Sequence, residues 1–197
     1  MAKIASRRVR HEPLPQIDGG FGSIYIDPPW DFKTYSKKGW GKSPQRHYPC
    51  HSVHDLAKIP VESVAAKNCI MHMWVIQALL PEGLWLMQQY GFKYKTYGAV
   101  WVKTTKKGKK HFGPGYWYRS NPELCLVGVR GKPKRINKGI PLLLESEVRE
   151  HSRKPDEMYD RIERLTAGPY LEMFSRNEER EGWSFWGNEV GKFGGLK

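Results

Sequence analysis

The chain has 197 residues, with 33 Lys plus Arg against 20 Asp plus Glu and a net charge of +13 at pH 7. That length suits one domain with a substantial core, and the positive excess favours a polyanionic partner, because each neutralised phosphate releases counterions. No stretch reaches the roughly 18 apolar residues of a spanning helix, no hydrophobic leader follows Met1, and the scattered Cys50, Cys69 and Cys125 read as reduced thiols of a cytoplasmic protein.

Residues 1–22 are basic and then rich in Pro and Gly, which reads as a loosely held arm. Ser23–Asp27 is the first strand. Residues 31–51 are polar and without period, and a connection that long inside a domain is commonly functional. Ser52 caps a short helix running to about Ile59, with Asp55 at the favoured third position. Cys69–Val75 is a continuous apolar run suited to a strand buried on both faces. Pro81–Tyr90 has helical spacing and stops at Gly91. Tyr97–Val102 and Leu124–Val129 are strands, separated by the basic, glycine-rich stretch Thr104–Asn121. Asp156–Leu165 is helical after Pro155, and Leu171–Phe174 and Trp183–Trp186 are strands. Strands alternating with helices predict a single α/β domain over 23–190, with a mainly parallel sheet, helices on both faces and a tail at 191–197.

The chemistry is concentrated in Asp27-Pro28-Pro29-Trp30, placed at the end of the first strand. An exocyclic amino group on a nucleobase is a poor nucleophile, since its lone pair is delocalised into the ring. A carboxylate and a prolyl carbonyl can accept its two hydrogens and favour a more pyramidal nitrogen. Proline donates no N–H and has a locked φ, which aims its carbonyl. An indole can stack on an extruded base. The plain alternative is a strand ending in a Pro-Pro turn with Asp27 in solvent.

Several further blocks follow in a fixed order: His47-Tyr-Pro49, Val100-Trp-Val-Lys103, Gly115-Tyr-Trp-Tyr-Arg-Ser-Asn121, Glu123–Gly131, His151–Tyr159, Leu171–Arg176 and Trp186-Gly-Asn188. Together with Asp27–Trp30 this set resembles the MT-A70 family of adenine-N6 methyltransferases, most of all its compact bacterial and phage forms, from about Ser23 to Val190. The resemblance implies a Rossmann-like fold dependent on S-adenosylmethionine, permuted so that the catalytic block precedes the cofactor-binding strand. It assigns catalysis to Asp27, Pro28, Pro29 and Trp30, and cofactor binding to Asp27, Lys154, Arg176, Asn188 and Glu189. It implies no metal. Lys154 would reach a carboxylate as a point charge, and Asn188 would offer donor and acceptor together. The chain departs from better-known members at Asn177-Glu-Glu179, where a His-Asn pair is common, and at Glu189, where an amide is common.

Substrate contacts are expected from Tyr48, Lys103, Tyr116, Trp117, Arg119, Asn121 and Glu123. Two basic runs, Lys103–Lys110 and Arg130–Lys138, bracket Tyr116–Asn121, and both are expected on one sheet edge facing nucleic acid. DNA is the preferred substrate by family analogy. The alternatives are an RNA adenine-N6 methyltransferase and a non-catalytic, nucleic-acid-binding partner subunit of the same fold; assembly as a homodimer or with a partner subunit is compatible with either.

Overall fold

The computed structural model describes residues 13–31, 50–113, 115, 117–150 and 152–194. Tyr48 and Tyr116 lie outside the described residues, as do most of the N-terminal arm and of the 31–51 connection.

Strand β1 (Phe21–Ile26) is followed by helix α1 (Val53–Leu56), strand β2 (Ala65–Val75), helix α2 (Leu80–Gln89), strands β3 (Lys93–Thr104), β4 (Pro122–Arg130) and β5 (Leu143–Glu147), helix α3 (Glu157–Leu165), and strands β6 (Tyr170–Met173) and β7 (Trp183–Trp186). The strands form one sheet in the order β5-β3-β4-β2-β1-β6-β7. Only β4 runs against the others, pairing antiparallel with both β2 and β3, while β1, β2, β6 and β7 pair in parallel, as do β3 and β5. The sheet is therefore mainly parallel, as expected from the sequence. The exception follows from connectivity: among the described residues of 105–121, which join β3 to β4, there is no crossover helix, so the second strand returns antiparallel.

Alternation of side chains across the strands divides the core in two. Ile24 and Ile26, with Met71, Met73, Leu171 and Met173, face α1 and α2 through Leu56, Leu86 and Met87. Tyr25, Trp74 and Cys125 face the opposite way, against Met158, Tyr159 and Ile162 of α3. Helices thus cover both faces. The α3 side is the more polar: Tyr25 stands in register with Glu172 on β6 and with His72 on β2, and Trp74 Nε1 donates to the Tyr25 hydroxyl at 2.7 Å.

Local chemistry sets the element ends. Ser52 Oγ accepts the Asp55 N–H and so caps α1, Pro81 stands in the first turn of α2, and Pro122 opens β4, where a missing N–H costs least. β2 and β3 run well beyond the predicted Cys69–Val75 and Tyr97–Val102, because the half-buried Ala65 and Ala66, the exposed Lys67 and Asn68, and the exposed Lys93–Thr96 make no long apolar run. β5 was not predicted. It alternates exposed and buried positions at the sheet edge, burying Leu144 and Ser146, and the Ser146 carbonyl accepts from Trp101 Nε1 at 3.0 Å.

Candidate active site

Asp27 leaves β1 at its carboxyl end, beside the carboxyl ends of β2 and β6, where open α/β sheets bind ligands. The loop it begins is fixed by backbone bonds. The Pro28 carbonyl accepts the Trp30 N–H at 2.8 Å, the Pro29 carbonyl accepts the His51 N–H at 2.9 Å, and Asp31 N donates to the His51 carbonyl at 3.1 Å. Trp30 is buried in the core and its Nε1 donates to the Trp74 carbonyl at 3.2 Å. The indole therefore anchors this turn from the core side.

Lys154 reaches the site from the turn before α3. Its Nζ donates to Asp27 Oδ2 at 2.7 Å and stands 3.5 Å from Glu123 Oε2. Lys103 pairs with the other oxygen of Glu123. Asp27, Lys154, Glu123 and Lys103 so form one alternating chain of charge from the end of β1 to the base of the 105–121 loop. Burial pushes the Asp27 carboxyl above its usual range, against the pull of Lys154. Burial alone would raise Glu123 too, but Lys154 and Lys103 outweigh it and hold that group at about 2. The Lys154 turn is braced by Arg149 and Arg153, which bond Asp156 at 2.6 and 3.1 Å.

A pocket opens beside this chain. Asp27, Pro28, Pro29, Lys154, Arg176, Asn188 and Glu189 all contribute to its walls, so the residues that the sequence assigned to the cofactor converge in space. Arg176 pairs with Glu189 at 3.0 Å, and Phe193 lies between the guanidinium groups of Arg153 and Arg176, at 4.9 and 5.6 Å. The turn that carries Arg176 is closed by the Ser175 N–H, donated to the Trp186 carbonyl at 3.0 Å.

The MT-A70 family model matches residues 21–189. This chain belongs to the MT-A70 family. The type II methyltransferase M.MunI of Mycoplasma sp is 30% identical over 95% of this chain and 88% of its own length. The MT-A70-like putative N(6)-adenosine-methyltransferase of Medicago truncatula is 31% identical over 88% of the chain, and the N(6)-adenosine-methyltransferase catalytic subunit METTL3 of Homo sapiens is 28% identical over the same share. The chain spans only 27% and 29% of the length of those two.

In this MT-A70 chain the pocket also holds residues that the sequence did not assign to the site. Glu172 is buried on the pocket wall, and its Oε2 accepts from Tyr159 and Ser175, both at 2.7 Å. Asn177 Nδ2 donates to the Tyr159 hydroxyl. Burial lifts the Glu172 carboxyl to about 7 despite those donors. The signal was a carboxylate inside the apolar run of β6, at the position facing Tyr25.

The residues expected to contact substrate divide. Lys103 and Glu123 join the charge chain. Asn121 is buried, and its Nδ2 donates to the carbonyls of Lys103 and His111, closing the base of the loop. Arg119 donates to the Phe112 carbonyl at 2.9 Å. Trp117 and Tyr118 project into solvent, 95% and 89% exposed. The two basic runs do not share an edge. Lys103–Lys110 lies at the Asp27 end of the sheet, whereas Arg130–Lys138 lies at the other end, because nine residues of β4 separate them.

Proposed function

We propose that this chain methylates N6 of adenine in nucleic acid, using S-adenosylmethionine, with DNA as the favoured polymer. The observation that carries the proposal is Asp27 at the rim of a pocket with walls of both charge signs, clasped by Lys154 and joined through Glu123 to an exposed aromatic and basic loop.

Lys154, Arg153 and Arg176 stand beside Asp27, Glu172 and Glu189, a set that suits a zwitterion carrying a further positive centre. S-adenosylmethionine when bound supplies a methyl group made electrophilic by its sulfonium. Lys154 would hold its carboxylate, and Arg176, Asn188 and Glu189 its remaining polar groups. Asp27 and the Pro28 carbonyl, which can accept a second hydrogen bond, would take the hydrogens of the target amino group. Holding that nitrogen in line supplies much of the rate. No strong general base is needed, since the proton leaves only after the nitrogen has become cationic. The adenine must be flipped out or taken from a single strand, and Trp117, Tyr118 and the loop lysines would hold the flanking nucleotides. Residues 23–190 would act as one domain, in the cytoplasm.

DNA is favoured because a relative of about this chain's own size is a type II methyltransferase. RNA is the second reading, supported by relatives whose names specify adenosine. The test is transfer from labelled S-adenosylmethionine to duplex DNA, single-stranded DNA and RNA, with digested nucleosides identified by mass and Asp27→Ala beside it. N6-methyladenine in DNA, abolished in the variant, is the expected result. Product confined to RNA would reverse the polymer, and no product with binding retained would favour the partner-subunit role.

A further inference from the structure

A second cavity opens on the α3 face, at the end of the sheet away from Asp27. Its floor is apolar, formed by Ile70, Val127 and Val129 of the sheet and by Met158, Ile162 and Leu165 of α3. Its rim carries Lys95, Lys132, Arg135, Lys138 and Arg161. Among its described walls there is no carboxylate, whereas the first pocket has three. Among the described residues, no ion pair engages Lys95, Lys132, Arg135 or Lys138.

The frame is fixed rather than loose. Residues 131–142 cross over the cavity and are pinned where Lys132 N donates to Asn68 Oδ1 at 2.8 Å and where Ile136 N donates to the Leu165 carbonyl at 2.8 Å. Arg161 donates to the carbonyls of Pro141 and Leu143 at the far end, and its Nε is buried without a partner. His72 stands in the wall at 2% exposure, its Nδ1 buried and likewise unpartnered. An unpaired polar atom in such a place is destabilising until something completes its hydrogen bond. Burial lowers the His72 pKa to about 4, so the ring is neutral at physiological pH and offers one donor or acceptor to an uncharged edge.

We propose that this cavity binds a nucleotide, its base laid on the apolar floor with an edge hydrogen-bonded to His72, and its phosphate held by Lys132, Arg135 and Lys138. An aliphatic anion would fill the floor but leave His72 Nδ1 unpaired. Inorganic phosphate would use the rim and leave the floor empty. A free mononucleotide and one unit of a polynucleotide present the same chemistry.

The test is calorimetric titration of the full chain with AMP and with a short single-stranded oligonucleotide, while the imidazole resonances of His72 are followed by NMR. Binding that shifts His72, and that weakens at least tenfold in Arg135→Ala/Lys138→Ala and in His72→Gln, is expected. AMP binding alone would identify a free nucleotide as the ligand, and a response only to the oligonucleotide would identify a strand unit. Lys154→Ala separates this site from the first pocket. Binding that survives the rim substitutions and is lost in Lys154→Ala overturns the proposal, as does no shift of His72 at millimolar ligand.

Discussion

Lys154 Nζ lies 2.7 Å from Asp27 Oδ2, across 127 positions of sequence, and the same ammonium stands between Asp27 and Glu123. Two carboxylates converge here, and the ammonium between them lowers the pKa of both, against burial that raises Asp27 and with help from Lys103 at Glu123. Asp27 accepts both hydrogens of an amino group best as the anion, whose two oxygens are free of protons, so activity is expected to fall as pH drops through its raised pKa. Without the ammonium that pKa rises further. Lys154→Met is therefore expected to lower methyl transfer by about 10²–10³-fold and to move the acid limb of kcat/KM to higher pH. A limb that stays in place would confine Lys154 to holding the other reactant.

Glu172 gives the opposite pH signature, read in stability. Its folded pKa of about 7 is above the ordinary carboxylate value of 4.5, so the folded state holds this proton more tightly than the unfolded chain does. The contribution is fully favourable below about pH 4.5 and is lost as pH rises toward 7, a swing of about 3 kcal/mol. Glu172→Gln cannot ionise. It is expected to raise Tm over the wild type at pH 8, by an amount that vanishes near pH 4.5. Calorimetric scans across that range check it, and a difference constant with pH would remove Glu172 as the cause.

Much of this was legible in the sequence because it depends on local patterns. The apolar runs at Ile24–Ile26 and Cys69–Val75 marked the central strands, and Asp27–Trp30 marked where the chain turns at the site. Lys154 was found by block order, and its bond to Asp27 bears out nothing that spacing alone could supply, since two residues 127 apart carry no periodic signal. β5 and the early part of β3 escaped because edge strands with one wet face lack an apolar run. The splitting of the basic runs escaped for a topological reason: only the antiparallel direction of β4 puts 131–138 at the far end. Trp30 could be read from sequence as a stacking surface, and it is the fold that turns its indole into the core.

Gly187 holds the pocket turn by its lack of a side chain. A Cβ there would stand 2.8 Å from both the nitrogen and the oxygen of Ser175, main-chain atoms that cannot rotate aside. The same stretch receives the bond from Ser175 N to the Trp186 carbonyl and sets the position of Arg176. Gly187→Ala is thus expected to displace Arg176 and Asn188, weakening S-adenosylmethionine binding at least tenfold in calorimetry. Overpacking of this kind costs typically about 1–3 kcal/mol of stability, so the folded fraction should be checked by circular dichroism in the same samples. Undiminished affinity would show that the turn can shift without cost to the pocket.

Trp117 and the loop lysines should act on nucleic acid through separable terms. Trp117 is 95% exposed, so the fold gains little from its burial, and Trp117→Ala should leave Tm unchanged. If its indole stacks on a base, its loss costs about 1–3 kcal/mol of binding. Stacking releases few counterions, so the slope of log K against log salt should stay the same. Lys106, Lys107 and Lys109 are exposed on the same loop. Their combined replacement by Ala should flatten that slope by about 0.9 for each phosphate no longer neutralised on duplex DNA, or about 0.7 on a single strand. Fluorescence anisotropy with a labelled strand at several salt concentrations measures both variants. A changed slope in Trp117→Ala, or an unchanged one in the lysine variant, would break the assignment of stacking to the indole and charge to the loop.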